Sequence, residues 1–205
     1  MAVRNVLLVE GKDDEHVFYH LLEYHQVPQC FTIKDKGGIE NLLNTLEVEL
    51  LASELQCLGI VVDADTDINS RWQALRDLLT RAGYAMPAKP DADGVIVQKP
   101  GKPRVGIWLM PNNQTPGMLE DFVAFLVPPG NVLWQQAETC VAQLPATEDR
   151  FPEVHRSKAR VYTWLAWQRE PGSPLGLAIT KRYLNADAAA VRPLLDWLRQ
   201  LFDII

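Results

Sequence analysis

No stretch of these 205 residues approaches the ~18 to 20 uncharged apolar positions that a membrane-crossing helix needs. The N-terminal segment carries one arginine and meets Glu10 before an apolar leader can develop, so neither an export signal nor a membrane partner is expected. Cysteine is scarce. Cys30, Cys57 and Cys140 are odd in number, widely spaced and outside any metal-ligand pattern, which predicts small core residues in a reducing compartment. A cytoplasmic location is the expectation. Positive charge is in deficit too: 20 Lys and Arg against 26 Asp and Glu give a net charge of −6 and a pI near 5.2. That balance excludes a protein that grips nucleic acid by bulk charge alone. It leaves open a phosphate-processing site whose clustered acids bind metal. No Gly-x-x-x-x-Gly-Lys-[Ser/Thr] loop is present, so any ATPase would have to be a separate partner. Internal repeats and low-complexity tracts are also missing.

What the chain does have is a 47% hydrophobic content, enough to bury a core without covalent staples. It is organised around Val6-Leu7-Leu8-Val9-Glu10-Gly11-Lys12-Asp13-Asp14. The apolar run predicts a buried strand, an acid stands where that strand should stop, and Gly11 permits a sharp turn. A helix from Asp14 to Tyr24 is expected next, with Val17, Phe18, Leu21 and Leu22 inward and Asp14 on the same side. His16 and His20 fall on the polar stripe without a third ligand, so they are expected in solvent. A short strand at Phe31 to Lys34 follows, then a helix from Ile39 to Glu54 that buries Leu42, Leu43, Leu46, Leu50 and Leu51. A second stretch then repeats the opening arrangement: Leu58-Gly59-Ile60-Val61-Val62, followed by Asp63-Ala64-Asp65-Thr66-Asp67. A helix from Ser70 to Ala82, closed by Gly83, comes after it. This alternation predicts an α/β fold, a mainly parallel, Rossmann-like sheet flanked by helices.

Residues 85–104 break the rhythm with four prolines and a basic turn. Val95-Ile96-Val97 and Val105 to Met110 read as two strands joined by that turn. Lys99, Lys102 and Arg104 either grip a backbone phosphate or decorate the turn. From Pro111 the chain reads as helical. Thr115-Pro116-Gly117 resembles a helix start with Pro at the first position, leading into Met118 to Val127. Gly130 to Leu144, His155 to Gln168 and Asp187 to Phe202 are further helices. The expected organisation is an α/β core over 1–112 and a helical C-terminal extension over 113–205, packed on the same domain. Arg156 and Arg160 lie in a basic run and are candidate phosphate contacts. Oligomeric state is left open.

The acids carry the chemistry. Residues two apart in an extended chain project to the same side, so Asp63 and Asp65 are expected together beyond the strand end. In parallel α/β sheets that edge is where ligands bind. Glu10 joins them from the neighbouring strand, and Asp14 from the helix above it. Two like charges at ~4 Å repel by roughly 4 kcal/mol at an effective dielectric near 20, so either protons or a divalent cation must neutralise the group. Ligation by oxygen alone favours Mg²⁺ or Mn²⁺ over zinc. Each acid also has a plainer use, as a turn residue or beside a helix N-terminus.

Val9-Glu10-Gly11-Lys12-Asp13-Asp14, followed at a distance by Val62-Asp63-Ala64-Asp65, resembles the Toprim domain of topoisomerases, primases and related nucleases. The resemblance covers about the first 110 residues. It implies a Toprim-like fold and Mg²⁺-dependent phosphodiester chemistry on DNA or RNA, with Glu10 as general acid/base and Asp63 and Asp65 as metal ligands. Gly117-Met118-Leu119-Glu120-Asp121 and Lys158 further resemble the OLD (overcoming lysogenization defect) type Toprim nucleases. That likeness implies Glu120 at a second metal and Lys158 stabilising charge during cleavage, with a separate ABC-type ATPase as the expected partner. The serine usual near that acid has no clear counterpart in the sequence. Two other classes compete: a non-catalytic Toprim-like module that binds nucleic acid or protein, and a haloacid-dehalogenase-like phosphatase with Asp63 as nucleophile. The phosphatase reading leaves Glu10 without a role.

Overall fold

The computed structural model describes residues 4–204 apart from 146 and 149. Its first strand, β1 (Arg4–Val9), buries Val6 through Val9 completely, as a strand covered on both faces requires. The chain continues through α1 (Lys12–Tyr24), β2 (Thr32–Asp35), α2 (Ile39–Leu50), β3 (Leu55–Asp63), α3 (Ile68–Arg81), β4 (Val95–Val97) and β5 (Arg104–Met110). The result is a five-stranded sheet in the order β2-β1-β3-β5-β4, parallel except for β4. The mainly parallel α/β fold expected from the sequence is the fold observed.

Alternation along the strands divides the core into two layers. Leu7, Val9 and Val61 face α1, while Val6, Leu8, Ile60 and Val62 face Leu42 and Leu46 of α2 and Trp72, Leu75 and Leu79 of α3. Because α1 covers one face and α2 and α3 the other, the winding direction reverses between β1 and β3. That switch leaves an open crevice above the C-terminal ends of these two strands. Glu10 and Asp63 stand there.

The second half supplies α4 (Leu119–Phe125), α5 (Val132–Ala142), a 3-10 turn (Glu153–His155), α6 (Arg156–Ala166), α7 (Leu175–Thr180) and α8 (Val191–Phe202). Their apolar residues belong to the same cluster as Leu7, Val9 and Trp108, so the core runs across the expected 112/113 boundary. The outer limits of those two segments, residues 1–3 and 205, lie outside the described residues. Helix α8 lies close against the sheet because Gly59 and Gly106, paired across β3 and β5, present no side chain to it. A Cβ on Gly106 would stand 2.6 Å from a Leu201 methyl.

Several local expectations change. Thr115-Pro116-Gly117 does not begin a helix; α4 starts at Leu119 after an extended Met118, because Gly117 (φ +139°) pairs its backbone with Asp65. Helix α2 ends at Leu50, leaving Leu51 84% exposed rather than on the buried face. Helix α7 is absent from the sequence reading, since LGLAIT is six residues long and apolar without a helical period. It packs against α1 at Gly176, where a Cβ would meet the His16 carbonyl at 2.6 Å. His20 is therefore half-buried, its Nδ1 2.7 Å from the Thr180 hydroxyl, whereas His16 stays exposed.

Candidate functional site

The crevice is assembled by backbone hydrogen bonds to carboxylates. Glu10 follows β1, and its Oε1 accepts the Asp63 N–H at 2.7 Å while its carbonyl accepts the Gly38 N–H at 2.7 Å. One residue thereby ties the end of β1 to the end of β3 and to the loop that follows β2. Gly11 precedes α1 in an extended conformation, and its N–H donates to Asp14 Oδ2 at 3.1 Å. This bond turns Asp14 inward from the first turn of α1, where it is only 6% exposed. Asp63 ends β3, and its Oδ1 accepts the Leu119 N–H at 2.9 Å from the start of α4. The next residue, Glu120, is buried and makes an ion pair with Lys158 of α6 at 3.0 Å. Glu10, Asp14, Asp63, Glu120 and Lys158 line a cleft of about 340 Å³, with Gly38 and Met118 on its walls.

Burial and mutual repulsion dominate the electrostatics. Asp14 is pushed up to about 7, by desolvation first and then by Glu10 and Glu120, against the opposing Gly11 amide. Asp63 rises well above the ordinary carboxylate range through desolvation and its neighbours Asp14, Glu10 and Glu120. Glu10 rises by desolvation, while the Asp63 amide and Arg71 act in the opposite direction. Burial opposes the charge on Lys158, but Glu120, Asp13 and Asp63 outweigh it, so the ammonium is held charged.

Whether these residues suit a divalent cation can be judged from the structure. Asp14 Oδ1 is buried and has no hydrogen-bond partner, and the donors are all carboxylates, the type that suits Mg²⁺ or Mn²⁺. Against this, among the described residues no three His, Cys, Asp or Glu side chains stand grouped closely enough to hold an ion as they are. Glu10 and Asp63 each accept a backbone amide, and Glu120 pairs with Lys158. The chemistry of the donors fits. Glu10 and Asp63 keep carboxylate lone pairs beyond the amides they accept, whereas Glu120 would have to exchange Lys158 for the ion.

The other expected site residues lie elsewhere. Asp65 does not share the cleft with Asp63, because β3 ends at Asp63 and Asp65 sits beyond it in the left-handed region (φ +51°). Its carboxylate pairs with Arg71, whose Nε also donates to the Asp63 carbonyl at 2.9 Å. Lys99, Lys102 and Arg104 stand at the opposite end of the sheet. Arg104 pairs in register with Cys57, six residues before Asp63, a separation of roughly 20 Å along the strands. Lys102 donates to the Ala82 carbonyl at the end of α3, and Arg104 makes an ion pair with Asp203 at 2.7 Å. Lys102 and Arg104 are thus engaged in structural ties, and none of Lys99, Lys102 and Arg104 lines the acid cleft. A larger cavity of about 650 Å³ opens at that end, between Leu50, Leu51, Leu55, Tyr84 and Lys102, far from the acids. Arg156 makes an ion pair with Glu153, and Arg160 is partly covered on α6.

Some participants were not legible beforehand. Ser157 donates its hydroxyl to Asp121, whose other oxygen accepts the Met118 N–H, so this serine anchors α6 to the start of α4. Tyr162 donates to Asp13 at 2.9 Å on the rim, and burial followed by Asp13 raises its pKa. The only sequence signal for either was adjacency to Lys158 on one helix.

Fold and cleft together define an α/β protein with an acid-lined crevice at a topological switch point. The chain belongs to the family described as "Protein of unknown function (DUF3226)", whose model matches residues 4–203. No curated protein matches it. Among solved structures, the C-terminal region of the Xanthomonas campestris pv. campestris OLD protein phased with mercury is 17% identical, with a TM-score of 0.47, over 98% of this chain and 97% of that one. The same region phased with iodine is 18% identical, with a TM-score of 0.45, over 98% and 96%.

Proposed function

We propose that this protein is a Mg²⁺- or Mn²⁺-dependent nuclease with Toprim-like chemistry, hydrolysing phosphodiester bonds of DNA or RNA and served, where ATP is needed, by a separate ATPase chain. The observation that carries this reading is the buried, unpartnered Oδ1 of Asp14, a residue that lines the cleft together with Glu10 and Asp63. Three acids held this way repel one another unless protons or a cation neutralise them. Glu10, Asp14, Asp63 and Glu120 would hold the ion. A bound divalent ion polarises a phosphate oxygen and makes its water more acidic.

The protein's own groups divide the remaining work. Glu10, raised by burial and fixed on the Asp63 amide, is the proton-transfer group. Lys158, charged at the cleft edge, offsets negative charge on the phosphate. Asp65 acts from outside the cleft, by fixing Arg71 against the carbonyl of Asp63. The test is Mn²⁺ binding by calorimetry together with nicking of supercoiled plasmid, for wild type and Asp63→Asn. Loss of both in the variant supports the proposal; nicking at the wild-type rate by Asp63→Asn overturns it.

A binding module without cleavage is the second reading. It is favoured by the engagement of Glu10, Asp63 and Glu120 with protein partners. Metal binding with no cleavage of any DNA or RNA substrate would select it.

A further inference from the structure

Of the two lysines that line the cleft among the described residues, Lys158 is the one that pairs with a buried acid. Lys12 also lines the crevice, but its ammonium turns outward to Glu15 at 2.7 Å and Asp35 at 3.6 Å. Lys158 instead reaches Glu120, which is 4% exposed and has α4 behind it. Its own side chain is half exposed, and it passes 5.8 Å from the centroid of the Tyr162 ring. The lysine therefore enters from the rim and can leave by the same route, whereas Glu120 cannot follow it into solvent. Two cations cannot both occupy the acid side of Glu120 without strong repulsion at short range.

Resting on the metal-dependent reading above, we propose that Lys158 is a built-in competitor of the divalent ion. In the metal-free protein its ammonium occupies the cation position at Glu120, and ion binding requires it to swing outward past Tyr162. Three observations support this: the Lys158–Glu120 pair, the unpartnered Oδ1 of Asp14 in the same cleft, and the lack of any preassembled three-acid group among the described residues. A single lysine cannot neutralise both Glu120 and Asp14, so one acid oxygen stays without a partner until a divalent ion replaces it. The same swing would leave the ammonium at the mouth of the cleft, where an entering phosphate would meet it.

The test is calorimetric titration with Mn²⁺ alone, without nucleic acid, comparing wild type, Lys158→Met and Lys12→Met. Both variants remove one positive charge from the cleft lining, but only the first removes it from Glu120. Binding at least about tenfold tighter in Lys158→Met, with Lys12→Met within about threefold of wild type, supports competition. Equal tightening in both variants means that overall charge governs affinity and overturns it. Unchanged or weaker binding in Lys158→Met also overturns it, because the lysine would then be organising Glu120 for the ion, and the metal-dependent reading would survive. No Mn²⁺ binding by any of the three proteins removes the metal-dependent reading itself.

Discussion

Glu10 Oε1 accepts the backbone N–H of Asp63 at 2.7 Å, so the acid that ends one strand holds the end of its neighbour. The bond ties the fold to the proposed chemistry: it clamps the switch point and fixes the carboxylate that would transfer the proton. Glu10→Gln keeps an oxygen acceptor for that amide and removes the titratable group. Its thermal midpoint should stay within a few degrees of wild type. Plasmid nicking in Mn²⁺ should fall by about 10²-fold or more. Glu10→Ala leaves the Asp63 amide unpaired and should also cost about 1–3 kcal/mol in urea denaturation.

The pH dependence of the metal-free protein should run opposite to that of most acid-rich proteins. Asp14 has its folded pKa raised from 3.8 to about 7, so the folded state binds the proton more tightly than the unfolded chain. Its contribution is fully present below the unfolded value and is lost as pH rises through about 7. With chelator present, stability should decline between about pH 4 and 7, on the order of 3–4 kcal/mol for this group. Asp63 and Glu10 are shifted in the same direction. Asp14→Asn should flatten the slope and raise stability at pH 8, measured by urea titration across the range.

A divalent ion should reverse that loss. At a concentration 100 times its dissociation constant, Mn²⁺ should stabilise wild type by about 2.7 kcal/mol. Asp63→Asn should abolish most of this gain. Asp65→Asn should retain it largely, because its carboxylate engages Arg71 outside the cleft. Thermal melts with and without Mn²⁺ distinguish the two; an equal loss in both variants would place Asp65 on the ion.

The basic turn offers a control. Lys99→Ala with Lys102→Ala should leave nicking within about twofold of wild type, because these residues lie roughly 20 Å from Asp63 at the other end of β3 and β5. A loss of tenfold or more would move the nucleic-acid track to that end of the sheet.

Gly106→Ala probes the fold alone. Its Cβ would press on Leu201 and on Trp197, both fully packed in the core. A loss of about 1–3 kcal/mol is expected in urea denaturation, with Mn²⁺ affinity unchanged.

Much of this architecture was legible in local pattern. The short, β-branched apolar runs at Val6 to Val9 and Leu58 to Val62 read as buried strands, and amphipathic segments between them set the α/β alternation. The acids at positions 10, 14 and 63 are placed by chain geometry, since each stands at or one turn beyond a strand end. Asp65 does not stand beside Asp63 as strand alternation predicts, because β3 stops at Asp63 and Asp65 lies in the left-handed region. Helix α7 escaped because a short segment buried on several sides has no polar face to reveal its period.

The sequence by itself therefore determined the strands, the helices that flank them and the order of the acids, all of which depend on neighbours a few residues away. Only the tertiary structure decided what those acids meet. Glu120 and Lys158 are 38 positions apart, and their pairing depends on how α6 packs against α4. The Leu119 amide reaches Asp63 only because Gly117 pairs with Asp65, and the distant Lys99, Lys102 and Arg104 are removed from the site by the direction of β5. Long-range packing sets these relationships, and no local periodicity encodes them.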